Sequence, residues 1–295
     1  MRPYFVEWLN RWLGTQVFTY LVPNYFILLS LGTILGMIYA ARRARQARLA
    51  QEVIYGLAMW GFPSALIGGR LLHFAVSPDT YQGSLLMLLD PLKGSNMAYG
   101  GFIGGTLAVF IYLWRQRVDI WRYLDCAVPA VGIGNCLVRI GCFLEGDDFG
   151  KITSWPLAVS FPHGSFAFYH HVKLGLLSPL APQSLPVHPV QLYLALNGLL
   201  LAALAVWWSR SRRAASGEAF CLFWLCQAGA RFGLEFLRGD LNPTNFGLFT
   251  DSQIISIGVA CLAGYGLWRR LKHRSYANEP LSINGEDEQR TLGTA

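Results

Sequence analysis

Three ionisable residues stand inside one apolar, aromatic-rich run, FCLFWLCQAGARFGLEFLRGD, residues 220–240. They are Arg231, Glu235 and Arg238. At i, i+4 and i+7 they stack on one face of a helix. The flanking residues suit lipid better than water, and a charge at mid-bilayer costs roughly 2.5–3.5 kcal/mol on insertion scales. Such charges persist only when they face one another or a polar cavity. One reading is an internal tie, in which Glu235 neutralises two arginines. The sharper reading is an anion site, with guanidiniums left partly free to grip a phosphate bidentately.

The elements that must position these groups follow from composition. The chain has 295 residues, 53% hydrophobic and only 14% charged, which suits a polytopic membrane protein rather than a soluble domain. A net charge of +7 would fit nucleic-acid binding, but the basic residues lie in short clusters between apolar runs, as the positive-inside rule requires. The six cysteines, Cys126, Cys136, Cys142, Cys221, Cys226 and Cys261, show no zinc spacing. Most sit in apolar runs and read as small buried hydrophobes rather than a disulfide framework. The first long apolar run is followed by arginines and reads as an anchor, not a cleaved signal.

Seven spans are expected, over residues 17–41, 53–76, 98–114, 121–140, 189–208, 217–237 and 252–268. The second is expected to be broken by Pro63 and by Gly68-Gly69. Trp8 and Trp12 are placed at an interface. Arg42, Arg43, Arg45 and Arg48, then Arg115, Arg117 and Arg122, then Arg210, Arg212 and Arg213, then Arg269, Arg270, Lys272 and Arg274 fall on alternate connections. This puts the N-terminus outside and the C-terminus in the cytoplasm. The fold class is therefore all-α: a seven-helix membrane bundle forming one domain over 1–274, with a Pro-rich outer segment over 141–187. A polar tail, 275–295, is expected to be disordered. Arg70, Tyr99, Arg139, Glu235 and Arg238 then all approach the outer side, with Arg231 about two turns deeper. A cavity lined by several arginines there fits a lipid phosphate.

At these positions the chain resembles the prolipoprotein diacylglyceryl transferase family. Ile67-Gly-Gly-Arg70 resembles its GGR segment, Tyr99-Gly-Gly-Phe-Ile-Gly104 its HGGLIG segment, and Arg139 to Gly150 its signature RIGNFINGExxG. His188-Pro-Val-Gln-Leu-Tyr193 resembles HPxQLYE, Gly229 to Arg238 resembles GxxRxxxEFxR, and Ser252-Gln253-Ile254 resembles the start of the last span. The resemblance implies transfer of the diacylglyceryl group of phosphatidylglycerol to the lipobox cysteine of a preprolipoprotein, with glycerol phosphate leaving. The implied partners are phosphatidylglycerol, a preprolipoprotein signal peptide and membrane lipids, with no nucleic acid, no cofactor and no metal, in the inner membrane of a bacterium. Arg139, Arg231, Glu235, Arg238 and Tyr99 take the catalytic positions. Arg70, Tyr25, Gly100, Gly101, Asp147, Gly150, His188, Gln191 and Tyr193 take substrate-binding ones.

The departures mark a divergent member. Tyr99 stands where the family has histidine, Cys142 and Glu145 where it has asparagines, Asp147 where it has glutamate, and Leu194 where QLYE has its glutamate. Histidine suits removal of a thiol proton. A phenol, protonated at neutral pH, suits hydrogen-bond donation instead. His188 reads as a helix-entry residue and His73 as a residue near an outer helix end. Asp147 and Asp148 read as a hydrated turn rather than a metal pair. Two other readings stay open here. One is a paralogue that acts on, or only binds, a phospholipid headgroup with another acceptor. The other is a non-enzymatic membrane protein or transporter, against which the missing internal repeat weighs.

Overall fold

The computed structural model describes residues 24–81, 97–210, 215–240 and 249–277. Trp8 and Trp12, the start of the expected first span, most of the 77–97 connection, Arg212, Arg213 and the tail beyond residue 277 lie outside the described residues.

Among the described residues eight α-helices follow in order: α1 (Asn24–Gln46), α2 (Gln51–Val76), α3 (Ala98–Arg115), α4 (Ile120–Glu145), the short α5 (Phe166–Lys173), α6 (Val190–Ser209), α7 (Glu218–Glu235) and α8 (Asp251–Ala277). Each of the seven stretches expected to span thus contains one long helix. Among the described residues, four helices are long and apolar enough to cross a membrane: Ile27–Gln46, Ile120–Glu145, Val190–Ser209 and Asp251–Lys272. The outward faces of the long helices, α2 and α3 included, carry large apolar side chains. Met59, Trp114 and Leu262 are each more than 70% exposed, which suits hydrocarbon rather than water.

The long helices alternate in direction. Arg43 of α1 donates to Ser209 at the end of α6, Arg122 of α4 to the carbonyl of Ala47, and Arg270 of α8 to Ser216 before α7. These contacts gather the basic clusters at one end of the bundle. The opposite end receives the start of α3, α6 and α8 and the close of α2, α4 and α7.

Several elements depart from the sequence reading. Helix α2 is continuous through Pro63 and Gly68-Gly69. The glycines do not break it; they let α3 in. A Cβ on Gly68 would sit 2.4 Å from the Gly100 carbonyl oxygen, and one on Gly100 would sit 2.3 Å from that of Gly68, so bare backbones meet there. Helix α4 starts on an Asp119 cap that accepts from the Trp121 and Arg122 amides and runs five residues past Ile140. It stops at Gly146, whose left-handed φ of 74° is the usual glycine solution for a helix C-terminus. Helix α7 ends at Glu235, two residues short of Leu237. The 141–187 segment is not an open loop. It contains α5, capped by Ser165, isolated antiparallel bridges, and a small core of Phe143, Phe149, Phe161, Ala167 and Val187. All six cysteines are free, and Cys126, Cys136, Cys142 and Cys221 are buried.

Candidate active site

Arg231 and Glu235 sit one turn apart on α7. Arg231 Nη2 lies 3.0 Å from Glu235 Oε2. The N–H is not aimed at that oxygen, so the contact is an ion pair rather than a well-directed hydrogen bond. Glu235 Oε1 instead accepts from the Thr250 hydroxyl at 3.1 Å. Thr250 caps α8: its Oγ1 accepts from the Gln253 amide at 3.2 Å, while Gln253 Oε1 accepts from the Thr250 amide at 3.0 Å. This reciprocal capping box fixes the start of α8 against the buried carboxylate.

Arg238 does not continue the α7 face; it lies in the turn beyond it. Backbone contacts hold it there. Lys151 N–H donates to the Leu237 carbonyl at 2.7 Å, and Gly239 N–H to that of Phe149 at 3.0 Å. Gly150 N–H donates to the His188 carbonyl, and His188 N–H to that of Lys151, each at 3.0 Å. A Cβ on Gly150 would stand 2.5 Å from the His188 oxygen, so only glycine fits between the two segments. Gly150 and His188, expected to bind substrate, here hold the backbone together. Gln191 does similar work: it is fully buried and donates to the Asp147 carbonyl at 2.6 Å. His188 Nδ1 and Tyr193 Oη are 3.4 Å apart, and both rings lie against Trp155.

At the centre is Asp148, expected from sequence to form part of a hydrated turn. Its Oδ2 accepts from Arg139 Nη1, and its Oδ1 accepts from Arg238 Nη2 at 2.6 Å. Asp240 takes the other edge of Arg238, with Nε at 3.0 Å and Nη2 at 2.6 Å. Arg139 arrives from α4, Arg238 from beyond α7 and Arg231 from α7, so these arginines do meet. They meet with carboxylates among them: Glu235, Asp148 and Asp240. Arg139 Nε and Arg231 Nη1 are nonetheless buried without a hydrogen-bond acceptor, as are Asp147 Oδ1 and Gln191 Oε1 without a donor, among the described residues.

The two aspartates of the turn titrate in opposite directions. Burial opposes charge on Asp148, but Arg139 and Arg238 outweigh it and hold the carboxyl below the usual range. On Asp147 burial, then the neighbouring Asp148, outweigh the Cys142 thiol and the Arg139 charge and push its carboxyl up to about 6. No group of three or more His, Cys, Asp or Glu able to hold a metal occurs among the described residues.

Tyr99, at the start of α3, joins this network through a residue the sequence reading missed. Its Oη lies 2.9 Å from Ser252 Oγ, which also accepts from Arg231 Nη2 at 3.0 Å. The T-x-x-Q pattern at Thr250–Gln253 was the available signal for that neighbourhood; nothing in the sequence pointed to Asp148 or Asp240. Gly100 and Gly101 pack α3 against α2. Arg70 follows Gly69, whose carbonyl accepts the Met97 amide, so it lies at the same end of the bundle. Tyr25 lies in the first turn of α1.

Comparison with known proteins gives one consistent result. The family model described as prolipoprotein diacylglyceryl transferase matches residues 15–269. A phosphatidylglycerol–prolipoprotein diacylglyceryl transferase of Clostridium tetani is 30% identical over 242 residues, covering 82% of this chain and 90% of the relative. Proteins of the same name from Deinococcus radiodurans and Thermus thermophilus are 29% and 31% identical. They cover 88% and 83% of this chain, and 85% and 93% of their own lengths.

Proposed function

The chain belongs to the prolipoprotein diacylglyceryl transferase family, and on that premise we propose that the arginine network at the α4–α7–α8 end is its headgroup site. The reaction is transfer of the diacylglyceryl group of phosphatidylglycerol to the lipobox thiol of a preprolipoprotein. The observation that carries this reading is the bridging of Arg139 and Arg238, from distant parts of the chain, by a single carboxylate. A carboxylate held between two guanidiniums marks where a phosphodiester can be gripped.

In the transfer, the thiolate sulfur attacks the glyceryl carbon bonded to the phosphate oxygen. A C–S bond forms and that C–O bond breaks, its electron pair passing to the phosphate oxygen. The thiol gives up its proton, and glycerol phosphate leaves with one more negative charge. Arg139 and Arg238 meet that developing charge, which is the contribution fixed donors make best. Arg231 supports them, and Glu235 fixes its direction. Tyr99, anchored by Ser252 beside Arg231, donates a hydrogen bond to a phosphate or ester oxygen. Arg70, Tyr25, Asp147 and Tyr193 are assigned to the headgroup and the incoming peptide on the family resemblance. Gly100, Gly101, Gly150, His188 and Gln191 act by holding the backbone that presents them.

The seven long helices cross the inner membrane, with the basic end of the bundle in the cytoplasm and the N-terminus and arginine network on the periplasmic side. Residues 1–274 act as one unit. The purified protein, incubated with phosphatidylglycerol and a lipobox peptide, is expected to yield a peptide heavier by one diacylglyceryl group; unmodified peptide would sink the reading. Expression in cells depleted of their own transferase should restore growth.

A further inference from the structure

Asp148 bridges the two phosphate-binding arginines, Arg139 and Arg238, yet Arg238 does not depend on it to stay in place. Arg238 is already gripped along its Nε edge by Asp240 and flanked by Glu235 at 4.0 Å. The backbone around it is fixed by the Gly150, Lys151 and Gly239 contacts. Glu235 is 1% exposed and Asp240 20%, whereas the Asp148 side chain is 29% exposed. It is the carboxylate of the network with the easiest way out. Asp148 also has a left-handed φ of 51°, uncommon for a side-chain-bearing residue but tolerated by Asp and Asn. Its neighbour Asp147 is pinned by Gln191. The backbone therefore stays, and the side chain is what exchanges.

The two ligands of the site differ in charge. The substrate is a phosphodiester with one negative charge. The product is a phosphomonoester, close to doubly charged at neutral pH because its second pKa is about 6. An array of arginines without a counter-anion would hold the product more firmly than the headgroup it came from. The diester is also retained by its acyl chains in the bilayer; the product is retained by charge alone.

We propose that Asp148 is an internal competitor for Arg139 and Arg238, displaced when the phospholipid headgroup binds and returning to expel glycerol phosphate after transfer. This rests on the transferase reading above. Asp148 is a positioning residue, acting through the two arginines. Asp240 and Glu235 stay paired throughout.

The test compares the full-length protein with Asp148→Asn and Asp148→Gly, both compatible with the left-handed turn. Phosphatidylglycerol and a lipobox peptide are used in single-turnover and steady-state experiments. In both variants the single turnover should run at least as fast as wild type, while steady-state turnover falls after a burst of one product per enzyme. Inhibition by added glycerol phosphate should strengthen about tenfold, the scale of one charged hydrogen bond removed from the competition. Single-turnover and steady-state rates falling together, unchanged inhibition, or loss of folded protein in both variants would overturn the proposal. If wild type makes no thioether, the transferase reading fails separately. Calorimetric binding of glycerol phosphate then decides this proposal: tighter binding in the variants supports it, and equal binding overturns it.

Discussion

The two ends of the bundle each bury acidic groups among helix termini, but they use them differently. At the basic end, Asp125 of α4 takes the Gly217 amide at 2.6 Å and the Phe220 amide at 2.8 Å. It thereby caps α7 from another helix, since Gly217 has no side chain with which to do so. Glu218 accepts from Trp208 Nε1 at 3.0 Å, and Arg270 lies over the Trp121 ring at 4.1 Å. The carboxylates of Asp125 and Glu218 thus accept from backbone amides and an indole N–H. At the other end, carboxylates meet guanidiniums, and buried guanidinium nitrogens of Arg139 and Arg231 lack acceptors among the described residues. Backbone capping makes a fixed joint, whereas the side-chain ion pairs of the arginine network are the kind of contact that the headgroup proposed above would exchange with.

If that contrast holds, the largest effect on turnover should come from Arg139→Ala and Arg238→Ala. Each should lower kcat by about 10²–10³, the scale of losing one donor to developing charge. Thermal unfolding should move little for Arg139→Ala, because Arg238 still holds Asp148. A collapse in stability instead would make the two ends alike.

Asp125→Ala should do the reverse. It strips the cap from α7 at a cost of about 1–2 kcal/mol, read as a lower unfolding temperature, with turnover kept below that temperature. Loss of turnover in folded protein would break the comparison.

Ser252→Ala sharpens it further. Ser252 joins Tyr99 to Arg231, so its loss should reduce turnover by roughly threefold to tenfold, on the scale of one net hydrogen bond. Tyr99→Phe should match it, and the double variant should fall no further than either alone. Independent, additive losses would show that the Tyr99–Ser252–Arg231 chain does not act as one unit.

The smallest effect concerns Asp147, whose carboxyl is pushed up to about 6 from 3.8 by burial and by Asp148. Its folded pKa lies above its unfolded one. The stability it contributes is therefore full below about pH 4 and is lost as pH rises through about 6. Asp147→Asn should flatten that slope, by about 1–2 kcal/mol once partial solvent screening is allowed for. Unfolding measured between pH 4 and 7 reads it, and an unchanged slope would place the titration elsewhere.

The all-helical class and the places of the long helices were legible because an apolar run of about twenty residues flanked by arginines has few other ways to satisfy its backbone. The ionisable residues inside those runs were legible for the complementary reason, that charge in apolar surroundings must find a partner. The identity of the partners was not. Asp148 lies nine residues from Arg139 and ninety from Arg238, and only the left-handed turn after Gly146 brings one carboxylate between both. Ser252 looked like part of a helix start until α8 packed beside α7 and set its hydroxyl on Arg231. The glycines of the Gly100 and Gly150 segments carried the same ambiguity, since glycine marks a close approach without saying whether backbone or ligand comes near. Local pattern decides which segments are helices and which residues are out of place in them. Pairings between side chains far apart in sequence depend on how the helices pack, and there the folded chain made the choice.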